Sequence, residues 1–249
     1  MPQPQPEARS LAILAAAGLG LVLLVVLVSV AIRLGQAATP PLGSGAMLAL
    51  RVVHRTAASL EVLVILRLAW LAWHGRRERP AFARGVALAL AITLALSVLG
   101  IAAGQSPPPL AALGNLIGGL ALAATFAWLA GSLYPGAAVA SARLVALATA
   151  LIAVQCLLGA RLAIFPGAAS SPALPAHAEL GLVLAAALAW LALRGGRPAR
   201  RAAGLGVALI VPLAGFNALQ FDSLAAAFAH AAAAALFVIA AAWMRPQFA

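Results

Sequence analysis

The stretch LAILAAAGLGLVLLVVLVSVAI, residues 11–32, contains no charged residue. It is too long for the apolar segment of a signal peptide and has the length of a membrane-crossing helix. Gln36-Ala37-Ala38 offers a small-residue site at which a leader could be cut; the length of the run favours a retained span. The rest of the chain continues in the same way: 65% of its 249 residues are hydrophobic and 8% are charged, with a mean hydropathy of +1.07. That composition excludes a soluble globular domain and belongs to a polytopic membrane protein in contact with lipid. Strands of a membrane barrel would alternate polar and apolar residues, which these runs do not, so the spans are helices.

Eight spans are expected, at residues 11–33, 47–74, 85–104, 109–133, 138–165, 172–194, 200–219 and 222–244. Turn-forming stretches separate them, among them Thr39-Pro40-Pro41, Pro107-Pro108-Pro109, Tyr134-Pro135-Gly136 and Gly195-Gly196. All 16 basic residues are arginine, and the formal net charge is +11. A basic balance of this size could signal nucleic acid, but the arginines cluster at span ends, where they set topology. Arg9, Arg76, Arg77, Arg79, Arg84, Arg143, Arg194, Arg197, Arg200, Arg201 and Arg245 fall at one set of ends. The positive-inside rule puts that side, with both termini, in the cytoplasm of a cytoplasmic (inner) membrane. The single cysteine, Cys156, excludes an intramolecular disulfide and paired-thiol redox chemistry.

The chain repeats itself. Gly100 precedes Asn115 by 15 residues, and Gly215 precedes His230 by 15; Trp128 and Trp243 follow these by 13. Arg33 and Arg161 close the first and fifth spans, and His54 and His177 stand on the spans that follow. Two parallel four-helix halves result, residues 1–134 and 135–249, forming two pseudo-symmetric bundles. His54, Asn115, His177 and His230 then lie on the even-numbered spans, all in the outer half of the bilayer.

Ionisable side chains inside a span are costly and mark function by default. Two imidazoles facing each other across a bundle can ligate a haem iron from both sides, with Arg161 and Arg33 placed to meet propionates. The competing reading of each histidine is a packed polar residue bonded to a backbone carbonyl. A zinc site would want three or four ligands. Glu61 follows His54 by seven residues, on nearly the same helix face and about 10 Å deeper. It is either a proton-handling group or a neutral acid bonded to a neighbouring span. His74 reads as an interfacial residue, Arg67 as a structural or snorkelling side chain.

Several stretches, in order, resemble the haem A synthase family of eight-span membrane oxidases. They are Val53-His54-Arg55-Thr56-Ala57, Val98-Leu99-Gly100, Pro109 to Leu113, Gln155-Cys156-Leu157-Leu158-Gly159, Ala176-His177 and Phe228-Ala229-His230-Ala231-Ala232. The resemblance implies oxidation of the C8 methyl of haem O to the formyl of haem A, in terminal-oxidase biogenesis. It implies haem b on His177 and His230, and substrate haem O on His54. Haem O synthase and terminal oxidase subunits would be the partners. Two positions depart from the family: Asn115 replaces its second N-terminal histidine, and Arg51 replaces a glutamate three residues before the first. Glu61 is the remaining carboxyl candidate for that half. A relative that holds haem b without catalysis, and a membrane electron carrier, are the alternatives.

Overall fold

The computed structural model describes residues 6–38, 40–104, 107–133, 142–165, 172–194 and 224–243. Every regular element among them is a helix: α1 (Pro6–Ala37), α2 (Ser44–His74), α3 (Pro80–Ala103), α4 (Pro109–Ser132), α5 (Ala142–Ile164), α6 (Ala173–Arg194) and α7 (Leu224–Trp243). Four are long and apolar enough to cross a membrane, over Glu7–Ala37, Ser44–His74, Pro80–Ala102 and Pro109–Ser132. The span expected at 200–219 lies outside the described residues.

Proline and glycine set the helix ends. Pro80 and Pro109 open α3 and α4, where a missing N–H costs nothing. Gly75 closes α2 by donating its N–H to the Leu71 carbonyl at 3.1 Å. Gly104 follows α3 with φ +61°, the left-handed conformation in which a helix commonly stops. Three helices start earlier than their apolar runs, α1 at Pro6, α2 at Ser44 and α3 at Pro80 rather than at 11, 47 and 85. Hydropathy registers the part of a helix that suits hydrocarbon, whereas backbone hydrogen bonding continues through polar turns such as Glu7–Ser10.

Contacts divide the chain into two units, Met1–Val98 with Gly119–Pro135, and Leu99–Gly118 with Gly136–Ala249. In unit 1, α1 packs along α2. The buried side of α2 is Ala57, Glu61, Ile65, Leu68 and Ala72, a stripe at helical spacing. Its other side exposes Leu63, Leu66, Trp70 and Trp73, a belt of large apolar groups suited to lipid. Glycines let the helices close up: a Cβ on Gly18 or Gly85 would run into the rings of Phe126 and Trp128. Phe126, Ile65, Leu68, Leu129 and Val86 are fully buried.

In unit 2, α5 packs against both α6 and α7. Its buried residues include Ile152, Ala160, Leu184, Ala233, Ala235 and His177. Small side chains dominate this set, so the helix backbones approach closely.

Candidate functional site

The polar centre of unit 2 is built by α5, α6 and α7. His177, in the first two turns of α6, is 6% exposed, so it is withdrawn from any outside hydrogen-bonding partner. Gly159 of α5 makes room for it. A Cβ there would lie 2.9 Å from the His177 ring at Cε1, closer than real Cβ atoms come. One turn earlier on α5, the Gln155 side-chain amide donates to the His177 main-chain carbonyl at 2.9 Å. Gln155 and Gly159 are four residues apart and share one face of α5. Gly181, four residues after His177, meets the Gln155 amide: a Cβ at Gly181 would sit 3.3 Å from its nitrogen.

His230 of α7 completes the arrangement. The two imidazole rings lie with centroids 6.2 Å apart and planes tilted by 57°. Two imidazoles that grip one metal ion from opposite sides, at metal–nitrogen distances of about 2 Å, put their centroids about 6.3 Å apart. A tilted aromatic pair without metal also falls at such separations. One buried polar atom bears on the choice. His177 Nδ1 is buried and has no hydrogen-bond partner, and a buried polar atom left so costs about 1–3 kcal/mol. Plain packing carries that cost; ligation by a ring nitrogen removes it where that nitrogen is the ligand. The residues present therefore fit a two-histidine haem site.

Among the described residues no group of three or more His, Cys, Asp or Glu could hold a metal ion, and Cys156 is a half-buried free thiol. Arg161 is exposed in the last turn of α5. It stands two residues beyond Gly159, about 200° around the helix from the face that receives His177.

Unit 1 carries His54, half-buried on α2, with Arg51 half-buried and Arg55 exposed beside it. Arg33 is half-buried near the end of α1. Asn115, half-buried on α4, falls within Leu99–Gly118 and so belongs to unit 2. Glu61 is 4% exposed, and its Oε1 accepts a hydrogen bond from Thr93 Oγ1 of α3 at 3.1 Å. His74 is exposed; its Nδ1–H donates to the Trp70 carbonyl at 2.8 Å and its ring stacks on Trp70. Arg67 is exposed.

Two participants escape a reading of the sequence. Gln155 belongs to a stretch that resembles the haem A synthases but gains no role from it, although it is the one amide side chain in α5. Thr93 is one of only two hydroxyl side chains in α3, and such residues bond across spans. No protein-family model matches this chain, and no curated protein matches it in sequence.

Proposed function

We propose that this protein is a haem A synthase-like membrane oxidoreductase whose unit 2 holds haem b between His177 and His230. The observation that carries the reading is the pair of imidazoles at 6.2 Å, His177 buried and His230 half-buried, with His177 Nδ1 left unpaired. The sequence resemblance supports the rest: eight spans in two four-helix halves, an inner-membrane location, and both termini in the cytoplasm. His54 receives the substrate haem O in unit 1, and Arg33 is the candidate partner of its propionates.

Held by His177 and His230, haem b would supply one-electron redox chemistry. The chain's own residues do the positioning. Gln155 fixes the main chain at His177 to α5, and Gly159 gives the ring its place. Glu61, two turns along α2 from His54, holds a proton within the span. A binding-only relative, serving oxidase assembly without turnover, is the second reading. It is favoured by Arg51 and Asn115, which remove a carboxylate and a ligand from the N-terminal half.

The test is co-expression with a haem O synthase, followed by purification, haem extraction and identification by chromatography and mass. Haem A or its hydroxylated precursor, lost on His54→Ala, establishes the oxidoreductase. Only haem B, lost on His177→Ala or His230→Ala, establishes the binding protein. No haem in the purified wild type refutes both.

A further inference from the structure

The carboxyl of Glu61 and the hydroxyl of Thr93 meet on the buried side of α2, each 4% exposed. Unit 1 takes in α1, α2, most of α3 and the second half of α4, and the charged or titratable groups on these helices are few. Those on α1 are Glu7, Arg9 and Arg33; on α2 Arg51, His54, Arg55, Arg67 and His74; on α3 Arg84; α4 has none. Among the described residues, the hydrogen-bond partner found for the Glu61 carboxyl is the Thr93 hydroxyl. Arg55 and Arg67 are exposed and, six residues to either side of Glu61, project away from its face. His54 is about 10 Å away along the helix, and Arg84, nine residues before Thr93, about 13 Å. A carboxylate in that position would be a buried charge without a counter-charge, which a span tolerates poorly. The neutral acid has no such penalty, and its carbonyl oxygen is the acceptor that the Thr93 hydroxyl needs. One turn further along α3, Ser97 is exposed and donates to the Thr93 carbonyl at 2.8 Å. Polar groups therefore continue from the buried acid toward the C-terminal end of α3.

We propose that Glu61 and Thr93 form an exchangeable proton-binding site within the membrane-spanning part of unit 1, with Glu61 carried as the neutral acid. This site deepens the proton-holding role proposed above for Glu61, but its test reads the carboxyl itself and needs no bound haem, so the site and the haem reading can each fail without the other.

Infrared difference spectroscopy on the purified full-length protein at neutral pH tests it. Subtracting the Glu61→Gln spectrum from wild type should leave one carbonyl band of a protonated carboxylic acid. That band should move to lower frequency after transfer to deuterated water, because the acid proton exchanges. In Thr93→Val it should move to higher frequency, and in Thr93→Ser it should return, as the lost hydrogen bond is restored. The glutamine side chain is neutral and nearly isosteric, so that variant should fold. The threonine variants read the same band should it not. Absence of the band overturns the neutral acid. A band indifferent to deuterated water overturns exchange, and one indifferent to Thr93→Val overturns the pair.

Discussion

Replacing Gly159 with alanine tests the heart of the unit 2 site. The new Cβ would sit 2.9 Å from His177 Cε1, 3.5 Å from Nε2 and 3.6 Å from Nδ1. Ordinary carbon contacts begin at about 3.5 Å, so the ring or the helix must give by roughly half an ångström. His177 is 6% exposed, and the ring has packed neighbours rather than solvent to move into. Overpacking of this kind costs about 1–3 kcal/mol. Alanine's better helix propensity returns about 1 kcal/mol. A net loss of about 1 kcal/mol is expected, read as a lower thermal midpoint. Haem retention should suffer more, because ligation depends on ring position: a weakening of about 10- to 100-fold is the scale for disturbing a ligand's support. The assay is haem content per chain against an added haem-scavenging apoprotein, with the Soret spectrum recorded in parallel. Two controls bracket it. Gly181→Ala meets only the end of the Gln155 side chain at 3.3 Å, and Gly20→Ala meets nothing within 4 Å. Gly159→Ala protein with wild-type haem affinity and spectrum would refute the placing of the metal at His177.

Gln155→Glu should destabilise the protein more than Gln155→Leu, seen in denaturant or thermal scans. The carboxylate cannot donate to the His177 carbonyl, whereas leucine loses one bond worth about 0.5–1.5 kcal/mol and also removes the buried, unpaired Gln155 Oε1. Equal stability of the two variants would contradict the role of the amide as donor. Phe126→Ala, at a fully buried ring seated on Gly18, should cost about 3–5 kcal/mol, measured by unfolding in mixed micelles. His54→Ala should abolish haem A formation while haem B content stays at the wild-type level; loss of both would mean that His54 supports the fold rather than substrate.

Much of this was legible in the sequence because it depends on local composition. Long apolar runs have to be helices, and Pro107-Pro108-Pro109 marks the start of α4, whereas the start of α3 at Pro80 shows only in the structure. His177 and His230, expected at one depth on separate spans, stand with ring centroids 6.2 Å apart, a facing that equal depth alone does not dictate. What sequence could not supply was helix rotation. In α5 the polar side chains Gln155 and Arg161, six residues apart, project to different sides, so they do not mark one face as the face that meets a neighbour. The roles of Gln155 and Gly159 therefore appear only when α6 is packed against them. Thr93 is the same case, since a hydroxyl in a span can bond its own helix, as Ser97 does, or cross to Glu61. Asn115 and His54 carried equivalent marks in the sequence, but they fall in different units.

The length of α2 bears on how this protein meets its bilayer. Its 31 residues extend about 46 Å, while a hydrocarbon layer about 30 Å thick takes about 20 residues. Trp70 and Trp73 are exposed near one end, with the Arg76 guanidinium 4.2 Å above the Trp73 ring. Indole rings and a neighbouring cation settle at headgroup level. About twenty residues back from Trp73 the opposite boundary is reached near Val53, next to His54. Arg51 and Arg55 thus lie where their charges meet headgroups and water, and Glu61 lies well inside. A molecule held at His54 rests across the boundary itself, with its carboxylates among the lipid headgroups and its ring among acyl chains. Only an amphiphile gains from both sides of such a berth, and in a thicker bilayer the same histidine would sink out of reach of water.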